Sequence, residues 1–224
     1  VFQILNKSKT CIVIPALNEE KTITTVVSEA CQFGTPVIVD DGSTDSTSKL
    51  AAENGGVVLK NATSLGYESA LSRGFQYAAE NKFLWVVTID ADGQHSTSDI
   101  PVILLRLEEG KDIVTTIRNK LPRMSERLFG CIASLVWGIR DPLSGMKGYS
   151  VKNDCFQASF DQDNYAGAAL AIKIKINGGT HSSQRIMVQD RKDAPRYGNT
   201  FVANYKILKA LFTLLFLKKL SKAT

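Results

Sequence analysis

Apolar residues in the first half of the chain fall into short β-branched runs: CIVIPAL (11–17), PVIVDD (36–41), GGVVLK (55–60), FLWVVTID (83–90) and DIVTTI (112–117). Runs that are apolar at nearly every position predict strands buried on both faces. Between them, apolar positions recur at helical spacing over 19–33, 45–54, 67–80 and 98–109. This alternation predicts an α/β fold, a mostly parallel central sheet flanked by helices. Gly34, the pair Gly55 and Gly56, and Gly110 stand where the helices should stop. Beyond residue 118 the pattern loosens. A helix is expected over 121–139, weakened by Gly130 and Gly138, then a loop that becomes a short strand in DPLSGMKGYS (141–150). A helix over 164–176, a strand in SQRIMVQD (183–190) and a polar, basic loop in RKDAPRYGN (191–199) follow. The tail, YKILKALFTLLFLKKLSK (205–222), reads as a strongly apolar helix with lysines at both ends.

The 224 residues suffice for one domain with a small appendage, divided here at residues 1–198 and 199–224. A net charge of +5 favours an anionic partner: phosphate, nucleic acid or a membrane surface. Cys11, Cys31, Cys131 and Cys155 lie far apart without a CxxC pair, which argues against structural zinc and a disulfide framework and for a reducing compartment. The chain starts at Val1 without a signal-peptide pattern, as a trimmed chain would, and no apolar run is long enough to span a bilayer.

The chemistry gathers where strands end. Asp90 and Asp92 follow VVTI, Asp40 and Asp41 follow PVIV, and Asn18 and Glu19 follow the first strand. Open parallel sheets bind ligands outside the carboxyl ends of their strands, so one rim collects four to six acids. Asp45 and Asp99 are read as helix caps. Two carboxylates one residue apart repel unless a metal ion, an arginine or a shared proton lies between them, so Asp90 with Asp92 is more than capping. Neither GxxxxGK[ST] nor a GxGxxG after the first strand is present. A diphosphate bound here would need a divalent ion between it and the carboxylates, and Asp92 with the Gln94 amide offers oxygen ligands suited to Mg²⁺ or Mn²⁺.

IVIPALNEE, VIVDDGSTD, TIDADGQH, DPLSGMKGYS and DRKDAPRYG, in this order and at these separations, resemble family 2 glycosyltransferases, most nearly the dolichyl- or polyprenyl-phosphate sugar synthases. The likeness runs from about residue 10 to 198. It implies a GT-A (Rossmann-like) fold, a nucleotide-sugar donor (GDP- or UDP-sugar), Mg²⁺ or Mn²⁺, and inversion at the anomeric carbon. It implies that Pro15, Glu19, Val39 and Asp41 hold base and ribose, although Leu17 stands where a tyrosine is usual. Asp90, Ala91 and Asp92 match the DxD segment, and Gln94 a further metal contact. Arg118 matches a basic residue near the acceptor phosphate. Arg191 and Arg196 match the basic pair of a loop closing over the diphosphate, spaced one residue shorter than the pattern. The family's glutamate in the helix corresponding to 164–176 is missing; Asp161 and Asp163 lie just upstream.

The resulting expectation is an inverting, metal-dependent transferase. Asp90, Asp92, Arg191 and Arg196 serve the diphosphate, and Asp141 is the best candidate base should the acceptor be a saccharide hydroxyl. A polyprenyl phosphate, already an anion, needs no base. Arg123 and Arg127 face either acceptor phosphate or solvent. His95 and His181 are expected at the surface or as caps, and the sequon Asn61-Ala-Thr63 as chance. Two rivals stand beside this reading. One is a haloacid-dehalogenase-like phosphatase, whose DxDGT motif, normally on the first strand, DADGQ partly imitates. The other is a degenerate nucleotide-sugar-binding scaffold. The tail is expected to pack on the core or a second subunit, making a homodimer, or to lie in a lipid headgroup layer. The implied location is cytoplasmic and peripheral to the membrane, with no nucleic-acid partner.

Overall fold

The computed structural model describes residues 6–121, 123–157 and 166–189, with 204, 205, 207–209, 211–213 and 215. The strands are β1 (Thr10–Ala16), β2 (Thr35–Asp40), β3 (Val57–Lys60), β4 (Trp85–Thr88), β5 (Ile113–Arg118), β6 (Lys147–Ser150) and β7 (His181–Ile186). The helices are α1 (Ile23–Ala30), α2 (Thr47–Glu53), α3 (Tyr67–Glu80), α4 (Ile100–Glu108), α5 (Met124–Trp137), α6 (Asp154–Gln157) and α7 (Ala166–Ile176). The seven strands form one sheet in the order β3-β2-β1-β4-β6-β5-β7. Every neighbour pair is parallel except those made by β6, which runs antiparallel to β4 and to β5. The expected architecture, a mostly parallel sheet between helical layers, is therefore observed.

The side-chain alternation of β1 builds both cores. Cys11 and Val13 point to one face, where they meet α3, α5 and α7 through Phe75, Phe129 and Leu170. Ile12 and Ile14 point to the other, against Ile23 and Val27 of α1 and Ile103 and Leu107 of α4. A strand buried on both sides must be apolar at consecutive positions, which is the pattern read from the sequence. On the first face Phe75, Tyr149 and Phe156 pack as tilted rings with centroids 5.2–6.0 Å apart. Gly55, Gly110 and Gly138 take left-handed backbone (φ 89°, 88° and 72°) just past α2, α4 and α5, so Gly138 ends its helix rather than weakening it.

Three expectations need correction. Asp99 makes no side-chain cap for α4; Ser96, three residues earlier, accepts from the Ser98 N–H and starts the turn. Asp45 does cap, accepting from the Thr47 N–H at 3.0 Å. β7 begins at His181 rather than 183, because parallel pairing with β5 sets Ile113 opposite His181. His181 is thus a half-buried strand residue whose Nε2 bonds the Thr115 hydroxyl at 2.8 Å, not a surface or capping residue. In the tail, the described residues are helical; Leu211 is buried, and Ile207 and Leu215 pack against the same core as α3 and α5. Ser125 of α5 donates to Asn204 Oδ1 at 2.5 Å. No described helix is long and apolar enough to cross a membrane.

Burial, reinforced by nearby Lys175, lowers the His181 pKa to about 4 from its ordinary value of 6.5. The unfolded chain therefore takes up this proton first, and stability is lost as pH falls through that window. Urea denaturation of wild type and His181→Asn should show the wild type losing ground to the variant between pH 6.5 and about 4.

Candidate active site

β2 and β3 lie to one side of β1, while β4 and all later strands lie to the other. The crevice outside the carboxyl ends of β1 and β4 is thus the point where strand order reverses, the usual ligand position in open α/β sheets. β6, entering antiparallel, starts at this same rim. Its preceding loop, 141–146, is thereby delivered beside the ends of β4 and β5.

On the β1–β2 side, Pro15 and Val39 are register partners. Glu19 is buried; its N–H donates to the Thr47 hydroxyl at 2.7 Å. Thr22 spans the crevice, donating to the Ala91 carbonyl at 2.7 Å and standing 3.3 Å from Glu19 Oε2. Asp40 turns back into its own loop, accepting from the Ser43 N–H and the Ser48 hydroxyl, with Lys60 at 3.9 Å. Asp41 accepts from Asn61 Nδ2, the Ser64 hydroxyl and the N–H groups of Leu65 and Gly66, at 2.7–2.8 Å. Burial pushes the Asp41 carboxyl up, but those four hydrogen bonds win and hold it below the ordinary range. Its acceptor positions are filled, so Asp41 organises the loop leading into α3. Asn61, its amide committed to Asp41, is buried, which agrees with a chance sequon.

At the end of β4, Asp90 is held from several sides. Tyr67 Oη donates to Oδ1 at 2.9 Å, and His95 Nδ1 lies 3.5 Å from Oδ2. The Gly145 backbone forms a wall: a Cβ at that position would overlap the Asp90 carboxylate. Asp92 accepts from the Gln94 N–H at 3.1 Å. Gln94 Nε2 donates to the Gln189 carbonyl at 3.1 Å, and the Gln189 N–H returns to the Gln94 carbonyl at 2.9 Å. His95 is correspondingly not at the surface. It is buried and bridges Val188 across an antiparallel pair, and among the described residues neither ring nitrogen has a hydrogen-bond partner. Gln189 lies two residues before Arg191; Arg191 and Arg196, like Asp161 and Asp163, lie outside the described residues.

On the β5 side, Arg118 grips Asp141 with two bonds, Nε to Oδ2 at 2.8 Å and a terminal nitrogen to Oδ1 at 3.0 Å. It also reaches Glu126 of α5 at 3.1 Å, which Arg123, just ahead of that helix, pairs at 2.9 Å. Asp141 is therefore an ion-pair partner of Arg118 rather than an unengaged carboxylate. Arg127 is exposed and donates to the Leu121 carbonyl.

The sequence did not point to Tyr67, Glu68, Thr88, Gly145 or Lys147. Glu68 accepts from the Gly167 N–H at 3.0 Å, and burial raises its carboxyl. Lys147 is fully enclosed; burial pushes its ammonium down to about 8 against the pull of Asp141, Glu68 and Asp90. Thr88, inside the apolar run 83–90, and Lys147, between Met146 and Gly148, carried a sequence signal for burial but none for the site.

Two carboxylates and an amide, all hard oxygen donors, fit Mg²⁺ or Mn²⁺. Among the described residues no three His, Cys, Asp or Glu cluster to enclose an ion by themselves. The set therefore fits an ion that completes its shell from a bound phosphate, with the orphaned His95 nitrogens beside it.

A model of the family described as glycosyl transferase family 2 matches residues 11–145. An uncharacterized protein of Methanocaldococcus jannaschii is 35% identical over 161 residues, 65% of this chain and 66% of that protein. An undecaprenyl-phosphate 4-deoxy-4-formamido-L-arabinose transferase of Pectobacterium carotovorum is 35% identical over 121 residues, 48% of this chain and 36% of that protein. The chain thus spans less than two thirds of the length of these curated relatives. The crystal structure of Mycobacterium tuberculosis glucosyl-3-phosphoglycerate synthase with Mn²⁺, UDP-glucose and phosphoglyceric acid superposes with a TM-score of 0.74 at 21% identity, covering 95% of this chain and 80% of that one. At that identity the likeness establishes the shared fold.

Breaking a buried ion pair strands the remaining charge. Asp141→Asn should cost about 3 kcal/mol, softened where Glu126 keeps hold of Arg118. Chemical denaturation measures it; an unchanged midpoint would instead mark Asp141 as a carboxylate kept for chemistry.

Proposed function

The chain belongs to glycosyl transferase family 2, and from that premise we propose that it is a metal-dependent, inverting glycosyltransferase acting on a nucleotide-diphosphate sugar, UDP- or GDP-linked. The carrying observation is the acid pair Asp90 and Asp92 at the end of β4, over the crevice where strand order reverses. Pro15, Glu19 and Val39 line the β1–β2 side of that crevice for base and ribose, with Asp41 shaping the adjoining loop and Ala91 tied across it by Thr22. Asp92, Gln94 and Asp90 would hold Mg²⁺ or Mn²⁺, which when bound offsets the charge of the departing diphosphate. Arg191 and Arg196 add positive charge to the same leaving group. Support comes from the neighbour crystallised with Mn²⁺ and UDP-glucose. The DxDGT-phosphatase reading loses its basis, because Asp90 follows the fourth strand.

For the acceptor we propose a polyprenyl phosphate at a membrane surface. The attacking oxygen of a phosphate is already anionic and needs no base; Asp141, the leading candidate base, is committed to Arg118. The undecaprenyl-phosphate transferase among the relatives supports the same substrate class. So does α5. Met124, Leu128, Cys131 and Leu135 recur at helical spacing on its solvent side, with Met124 and Leu135 84% and 88% exposed. Arg127 flanks this apolar stripe, and exposed Tyr205 and Phe212 belong to the neighbouring tail. A basic border around exposed apolar side chains suits an anionic headgroup layer. A soluble saccharide acceptor or a homodimer across the stripe is the alternative.

Two outcomes are expected. Asp92→Asn should abolish sugar transfer and remove the Mn²⁺ dependence of UDP or GDP binding in calorimetry, while circular dichroism stays native. Near-normal turnover would refute the metal assignment. Met124→Glu with Leu135→Glu, both on exposed positions, should leave the melting temperature unchanged and reduce flotation with anionic liposomes. Transfer to a water-soluble saccharide but never to lipid phosphate would refute the acceptor.

A further inference from the structure

Lys147 is a buried cation with no part in the reaction as proposed above. It opens β6, facing the rim. Its ammonium donates to the Ser144 carbonyl, and Asp141, Glu68, Asp90 and Arg118 are the charges around it. The next residue along from Ser144 is Gly145, whose backbone is the wall against which the Asp90 carboxylate rests. That wall is pinned by further contacts. The Gly145 carbonyl accepts from the Thr88 hydroxyl at 2.6 Å, and the same Thr88 oxygen accepts from the Lys147 N–H at 3.1 Å. The Ser144 hydroxyl meets Thr116 Oγ1 at 2.6 Å, and Thr116 Oγ1 donates to the Met146 carbonyl at 2.6 Å. The Tyr67 hydroxyl also holds Asp90, donating to Oδ1 at 2.9 Å.

We propose that Lys147 is a positioning residue for Asp90: by holding the Ser144 carbonyl it fixes the Gly145 backbone, and so sets where the Asp90 carboxylate stands. This rests on the reading of Asp90 as a metal- and donor-binding group. Three of the residues involved, Ser144, Gly145 and Lys147, lie within four positions, and they reach Asp90 only because β6 is antiparallel and starts at the site rim. The amide and hydroxyl contacts would persist without the ammonium; the Ser144 carbonyl would lose its side-chain donor. Outer partners of this kind typically change metal affinity by about 10- to 100-fold.

The role of a positioner and the role of a bare charge have opposite signs. Deleting a positive charge beside an acid cluster tightens cation binding, whereas loosening the wall weakens it. The test is Mn²⁺ binding to the full chain in the presence of UDP, read from the paramagnetic resonance of free Mn²⁺ at pH 7. Lys147→Met should weaken binding about tenfold. Lys147→Gln, which keeps a donor without the charge, should recover part of the loss. In an Asp90→Asn background, Lys147→Met should cost nothing further, since contacts that act through one group are not additive. Should the Met variant fail to fold, Lys147→Gln alone is compared with wild type; weaker Mn²⁺ binding is expected, and tighter or unchanged binding would overturn the role. Tighter or unchanged binding in Lys147→Met, or a full additional loss in the Asp90→Asn background, would overturn the role of Lys147 while leaving the transferase reading intact. A wild-type protein that binds no Mn²⁺ with UDP would overturn both.

Discussion

Negative charges collected at one edge of a sheet repel one another, and the architecture around this rim is a set of answers to that repulsion. Each answer has a different chemistry. Asp41 is stabilised as the carboxylate by four hydrogen-bond donors from the 61–66 loop. Asp141 and Glu126 share the Arg118 guanidinium, and Arg123 takes the other oxygen of Glu126. Lys147 faces Asp141, Glu68 and Asp90 together. Asp90 accepts from the Tyr67 hydroxyl with His95 Nδ1 at 3.5 Å, and Asp92 accepts from the Gln94 N–H. Acids that shape loops are thus matched by donors of their own loop or by arginine, and Asp90 and Asp92 stand over the crevice, where a cation and an anion would meet.

The fold was largely legible because burial on both faces demands consecutive apolar residues, and that demand is visible in one dimension. β1 and β2 appear within one residue of their runs, β4 is the central half of the expected 83–90, and α3 matches its expected span of 67–80. The DxD segment was legible for a related reason: acids directly after an apolar strand have few structural explanations. What stayed hidden depends on contacts between distant positions. Thr88 and Gly145 are 57 residues apart, and Tyr67 and Asp90 are 23 apart. His95 is expected from the sequence at the surface or as a cap, yet it bridges Val188, which arrives from the far end of the domain. Asp141 looked like a base because a carboxylate in a loop carries no mark of the arginine that will meet it. Arg118 supplies that partner across 23 positions.

Helix packing sorts the remaining surfaces in the same physical terms. α5 turns Phe129, Ala133 and Trp137 into the core through one stripe, and a second apolar stripe faces outward. The tail contributes Leu211 inward while Phe212 stays exposed. Both elements carry more apolar surface than this sheet can cover, and the two meet where Ser125 bonds Asn204. On α5 Arg127 is exposed beside the outward stripe, while Arg123, just ahead of the helix, is paired with Glu126.

The placement of β6 also constrains how the chain can be assembled or divided. β6 comes after β5 in the chain but lies between β4 and β5 in the sheet, so those two strands share no hydrogen bonds of their own. During synthesis the β1–β4 layer and the β5 segment must wait, each with an open edge, until residues 147–150 emerge to join them. The region matched by the family model ends at residue 145, two residues short of that strand. A fragment cut at the family boundary would retain Asp90, Asp92 and Arg118, yet lose the strand that brings their two halves of the sheet together. The smallest folding unit of this chain is therefore larger than its recognisable motif.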